Sequence, residues 1–147
     1  MHKLAVAFAF WSAASLAVAA RASTPRVDWN ALADVDTIEV VTSDPDGSPR
    51  VTTVWLAVAD GAGYIRSSGT RWLANLERDP DLLVRIGAEE IPLRAVRVSD
   101  SQTREEVSSV FREKYGISDT LTGLFRSLRG VPTVLRLEPR TSLAPGD

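Results

Sequence analysis

Two turn signals, Asp44-Pro45-Asp46-Gly47 and Asp60-Gly61-Ala62-Gly63, interrupt three β-branched runs and leave too little chain between them for a crossover. Thr37 to Ser43, Val51 to Ala59 and Tyr64 to Ser67 are therefore expected to pair as an antiparallel meander. A second hairpin is expected from Leu82 to Ile86 and Ile91 to Val98, joined by a turn at Gly87, with arginine alternating against apolar side chains around Arg94 and Val96. Val131 to Glu138, with Pro132 near its start and Pro139 behind it, closes the chain as a strand. Six strands is the minimum. Tight antiparallel connections favour a mainly β (α+β) fold, a closed or partly closed antiparallel barrel with short helices at its rim, over a doubly wound parallel sheet.

The helices are short. Asp28 caps a turn through Trp29 and Leu32, and Arg71 to Arg78 sets Trp72, Leu73 and Leu76 on one face until Asp79-Pro80 ends it. After Ser99 to Ser101, Val107, Val110, Phe111 and Tyr115 form one stripe that Gly116 stops, and a further helical piece covers Leu121, Leu124, Phe125 and Leu128. With 147 residues, 44% of them hydrophobic and 24% charged, the chain suits one folded domain, and Thr141 to Asp147 reads as a flexible tail.

The N-terminus carries an address. Lys3 precedes an apolar run from Leu4 to Ala20, broken only by Ser12 and Ser15, and Ala20 and Ala22 follow at signal-peptidase spacing. Residues 1–22 are expected to be a Sec-type signal peptide, leaving a domain over 23–140 that is exported to the periplasm or beyond. An uncleaved anchor, or a start placed too early on a cytoplasmic protein, is the alternative. The chain has no cysteine, and its one histidine is His2, so cleavage would leave neither residue type nor any methionine. Thiol chemistry, zinc–thiolate sites, Ser-His-Asp triads and histidine-based metal sites are thereby excluded from the mature domain. A net charge of −2 gives no general attraction for nucleic acid. Chemistry has to come from carboxylates, hydroxyls, arginines or a bound cofactor.

One segment collects such groups. In Tyr64-Ile65-Arg66-Ser67-Ser68-Gly69-Thr70-Arg71-Trp72, a strand runs into three hydroxyl residues and a glycine, flanked by two arginines, and then opens a helix. Guanidinium forks, hydroxyls and the free N–H groups of a helix start together suit an anion such as phosphate. The plainer alternative is that Thr70 only caps the helix and the arginines are solvated. Trp55 and Trp72 could stack on a planar ligand or simply pack, and Tyr115 is expected to pack. Glu89-Glu90 reads as a solvated turn.

Tyr64-x-Arg66-Ser67, Arg71-Trp72, Asn75-Leu76 and Asp79-Pro80, with Phe111-x-x-Lys114-Tyr115 and Arg136-Leu137-Glu138-Pro139 later on, resemble the FMN-binding split-barrel superfamily that includes the pyridoxamine phosphate oxidases. The resemblance runs over about residues 28 to 140 and rests on the motifs together rather than on any one. It implies a six-stranded split barrel that pairs as a homodimer, with FMN or a deazaflavin between the subunits. By position, Arg66, Ser67, Thr70 and Arg71 would hold the phosphate, with Arg71 where many members have lysine, and the strand from Val51 through Thr53 to Trp55 would line the ring system. It further implies an oxidoreductase that moves hydride to or from a small molecule, for which the cofactor supplies the chemistry and the protein binding and orientation. The alternative is an exported, non-catalytic binding or structural homodimer that has lost the flavin.

Overall fold

The computed structural model describes residues 26–126 and 131–140, and within 117–126 the backbone alone. The expected signal peptide (1–22), the expected tail (141–147) and the end of the expected third helical piece at Leu128 lie outside the described residues.

A 3-10 turn at Trp29–Leu32, capped by the Asp28 carboxylate on the Ala31 N–H, leads into the sheet. The strands and helices then follow as β1 (Thr37–Ser43), β2 (Pro49–Trp55), β3 (Ala57–Ala59), β4 (Ala62–Ser67), α1 (Arg71–Arg78), β5 (Asp81–Ile86), β6 (Glu89–Arg97), α2 (Ser101–Arg126) and β7 (Thr133–Pro139). All strand pairs are antiparallel, in the order β2-β1-β5-β6-β7-β4-β3. Among the described residues the sheet has seven strands where six were expected as a minimum, because the run from Val51 to Ala59 divides at Leu56. β2 pairs with β1 and β3 with β4, so two segments one residue apart in the chain sit at opposite ends of the sheet order. The sheet must therefore curl round until its two ends meet at that break.

The inside of the curl is filled by alternate residues of each strand. Ile38 and Val40, Val54, Ile65, Leu82 and Val84, Leu93 and Ala95, and Leu135 and Leu137 form one buried cluster, completed by Trp29 and by Trp72, Leu73 and Leu76 of α1. A second cluster lies outside the curl. Val107 and Phe111, one turn apart on α2, pack with Ala57, Ala62, Tyr64 and Val134, which cover the outward sides of β3, β4 and β7. α2 is thus not a short rim helix: it lies along the outside of the barrel. Gly116 (φ 50°, ψ −123°) breaks it into two helical pieces, as its sequence position predicts. Glu89 and Glu90 begin β6, opposite Ile86 and Arg85, rather than forming the turn.

Among the described residues, the outward side of β2, β1, β5 and β6 has no such cover. Val51, Val41, Leu83 and Pro92 are register neighbours there and make an apolar row across four strands, with Val51 49% exposed. No helix among the described residues is long and apolar enough to cross a membrane.

Candidate functional site

The hydroxyl-rich loop forms where β4 hands over to α1. Ser67 continues the inward alternation after Ile65 and is buried, and its hydroxyl lies 2.5 Å from that of Thr70. Thr70 is the N-cap by position, yet its side chain makes no capping hydrogen bond and is turned to Ser67 instead. The plain helix-cap alternative for Thr70 therefore does not describe it. Gly69 takes φ +59°, and a Cβ added there would meet nothing within 4 Å, so the loop has open space over its backbone. Arg71, the first helical residue, is exposed. Ser67 and Thr70 are thus brought together, and Arg71 follows them at the first position of the helix. Arg66 is not with them: adjacent strand residues point to opposite faces, and its guanidinium sits 4.1 Å over the Phe111 ring on the α2 side.

One turn beyond Arg71, Asn75 is 3% exposed and points into the end of the barrel. Its amide donates to Thr42 Oγ1 (3.1 Å) and Asp44 Oδ1 (2.8 Å). Arg50 grips the same carboxylate in a two-point fork, Nε to Oδ1 and Nη2 to Oδ2, both at 2.8 Å. Arg78 donates to the Ser43 carbonyl beside it. Thr42, Ser67 and Asn75 are the buried polar side chains among the described residues, and each borders α1 or its entry loop. Sequence reading placed Asn75 only as part of a resemblance and missed Thr42, Asp44 and Arg50. The available signal was a polar residue on the buried face of an amphipathic helix.

The Asp44 carboxyl is held at about 2, below its ordinary 3.8, first by the hydrogen bond from Arg50, then by that from Asn75, with the positive charges of Arg50 and Arg71 adding to them. Because the folded value is depressed, this contribution to stability is complete above about pH 4 and is lost as the pH falls through about 2. Asp44→Asn is expected to flatten that part of the acid limb. Melting temperatures of both proteins between pH 5 and 2 check this; curves that stay parallel would refute it.

The expected ring strand presents Val51, Thr53 and Trp55 on one outward face, the first two exposed and Trp55 half-buried. Beside Thr53 lies an open depression of about 380 Å³, lined also by Thr37, Ile38, Glu39, Arg85 and Gly87. Trp55 stacks on Tyr115, ring centroids 4.5 Å apart and planes 8° from parallel, and Tyr115 in turn lies 5.8 Å from Phe111. The Tyr115 hydroxyl is directed at the carbonyls of Asp36 and Leu56, and burial pushes it up to about 12. Packing was the expected role, and the hydroxyl contacts add a tether to it. Lys114 Nζ donates to the carbonyls of Val35 and Leu56, and burial lowers its pKa. Trp72, by contrast, is core.

No protein-family model and no curated protein matches this chain. Solved structures do. HutZ, the heme storage protein of Vibrio cholerae, is 20% identical and superposes with a TM-score of 0.58 over 73% of this chain and 83% of its own. A FAD-binding protein of Mesorhizobium loti is 15% identical, with a TM-score of 0.55 over 77% and 85%. A putative pyridoxamine 5'-phosphate oxidase of Listeria innocua is 16% identical, with a TM-score of 0.53 over 79% and 95%. The fold is the split barrel. Its neighbours thus include proteins described by flavin binding and by heme storage, and the split barrel alone does not choose between them.

Proposed function

We propose that this split barrel binds a flavin, FMN or a deazaflavin, and supports hydride transfer to or from a small molecule, acting as a homodimer. The observation that carries the reading is the loop after β4, where two hydroxyls 2.5 Å apart, an open glycine and an exposed arginine stand at the start of α1. That donor set fits a phosphate: hydroxyls give short hydrogen bonds, the guanidinium supplies charge, and the uncapped N–H groups of α1 point the same way. Ser67, Thr70 and Arg71 would hold the phosphate, while Val51, Thr53 and Trp55 offer a flat, partly apolar face for the ring. The flavin, when bound, supplies the hydride chemistry. The residues of this chain bind, orient and exclude water. The row Val51, Val41, Leu83 and Pro92, uncovered among the described residues, gives a second copy an apolar face to bury.

Titrating FMN and a 5-deazaflavin separately into the purified protein tests the reading. Saturable binding of one is expected, with a melting temperature that climbs as ligand is added. Arg71→Ala should weaken that binding by about tenfold, the loss of one charge-assisted contact. Sedimentation of the same samples should report a dimer. Binding of neither ligand would leave a non-catalytic binding or structural module.

A further inference from the structure

The break between β2 and β3 is held by two consecutive side chains. Strand pairing does not continue through Leu56, whose N–H donates to the Asp36 carbonyl at 3.0 Å. Its carbonyl takes the Tyr115 hydroxyl at 2.6 Å and Lys114 Nζ at 3.1 Å. The same two side chains reach the carbonyls of Asp36 and Val35 just ahead of β1. Two residues at the end of the first piece of α2 therefore fasten the break itself and the chain entering β1. Residue 55, immediately before it, is the half-buried tryptophan that closes the outward face of β2 and lies nearly flat on the Tyr115 ring.

We propose that Tyr115 is a positioning residue which fixes the Trp55 indole as the stacking surface for the planar ring of the bound flavin. The inference rests on the flavin reading above and adds to it which aromatic holds the ring and what holds that aromatic. An indole on a strand end has several staggered orientations, and only one is parallel to Tyr115. The tyrosine ring selects it through the stack, and the hydroxyl fixes the tyrosine by tying it to main-chain carbonyls that cannot swing away. The Phe111 ring lies 5.8 Å from the tyrosine ring, and Arg66 caps Phe111, so successive contacts Arg66, Phe111, Tyr115, Trp55 link the strand that carries the phosphate loop to the strand that faces the ring. Lys114 shares the Leu56 tether but stands 5.5 Å from the Tyr115 ring centroid and does not stack on Trp55, which makes it the natural control.

The experiment is a double-substitution cycle read by FMN affinity, with the 5-deazaflavin in parallel, and by near-ultraviolet circular dichroism of the free protein. Tyr115→Phe keeps the ring and loses the tether; Trp55→Ala removes the surface. Trp55→Ala should weaken binding about tenfold or more, the scale of one aromatic stack. Tyr115→Phe should weaken it several-fold, change the tryptophan band of the dichroism spectrum, and have no further effect on affinity once Trp55 is gone. Lys114→Met should lower the melting temperature and leave affinity unchanged. Additive effects of the two aromatic substitutions, or a Tyr115→Phe protein with lowered melting temperature and unaltered affinity, would reduce Tyr115 to a structural tether and overturn the proposal. Should the unsubstituted protein bind neither ligand, the flavin reading fails and the proposed stacking role goes with it. The dichroism band then still tells whether Tyr115 sets Trp55: an unchanged spectrum in Tyr115→Phe refutes the positioning itself.

Discussion

Gly63→Ala is expected to destabilise this protein by about 3 kcal/mol, near the upper end for overfilling a packed core. A Cβ on Gly63 would lie 2.5 Å from both Cε3 and Cζ3 of Trp29 and 2.8 Å from Cδ2. Real side chains do not tolerate such distances, and the obstacle is a fused bicycle, not the loose end of a flexible chain. The indole is 6% exposed and part of the main buried cluster, so it can move only by leaving its place. The strand has no more freedom: Gly63 is paired with Val58 on one side and Leu137 on the other. The glycine is required here for close approach, because its backbone is ordinary strand. In a chain of this size the loss corresponds to a melting temperature lower by about 10 °C. Thermal unfolding followed by circular dichroism checks it, and Gly63→Ala combined with Trp29→Leu should recover part of the loss. A single substitution that leaves the melting temperature within a degree or two would mean Trp29 does not close the barrel over β4.

What the sequence reveals and what it hides follow from the range of the forces involved. Turns are local, and they are legible: Asp60 and Gly61 take φ +48° and +69°, the pair of left-handed residues that a two-residue hairpin needs, and Gly87 takes +60° in the next hairpin. Inward and outward alternation is local too: Ile38 and Val40, or Leu82 and Val84, two residues apart in runs read as strands, share the inner face. The break at Leu56 could not. Nothing in the composition of Val51 to Ala59 marks it; the strand changes partner because the curled sheet must close, and that demand comes from β1 and β4, not from the segment itself. The candidate site shows the same division. Ser67 and Thr70 are neighbours in the chain and meet in the loop, with Arg71 next to them at the start of α1. Arg66 is also a neighbour, but the two-residue period of β4 carries its side chain to the opposite side. Asn75, Thr42 and Asp44 join across more than 30 residues of chain; the helix pattern marks Asn75 as a polar residue on a buried face but does not name its partners. Tyr115 fits its apolar stripe as the periodicity predicts, while the carbonyls that receive its hydroxyl belong to residues far back in sequence.

Phe111→Ala is expected to cost about 4 kcal/mol, because a fully buried aromatic would be replaced by a cavity between a helix and a sheet. Phe111 is the largest fully buried side chain among the described residues and has Val107, Tyr64 and Val134 as companions in the outer cluster. It also carries two contacts that alanine cannot replace, the Arg66 guanidinium 4.1 Å above its ring and the Tyr115 ring at 5.8 Å. Loss of the first removes a cation–π contact from a partly buried charge, and loss of the second takes from Tyr115 one of its two aromatic ring contacts among the described residues. The damage should therefore begin locally. Amide hydrogen exchange over residues 103–115 should speed up under conditions where β1 and β5 remain protected, since those strands belong to the inner cluster and have no contact with Phe111 in it. Phe111→Leu, which keeps most of the volume, should cost much less and leave exchange in α2 slow. Chemical denaturation supplies the magnitude and exchange supplies the location. An alanine variant that loses less than about 1 kcal/mol, or one whose inner strands exchange as fast as α2, would show that α2 is not a separate layer resting on Phe111. The first result would place the helix off the barrel in solution, and the second would make the two clusters one cooperative core.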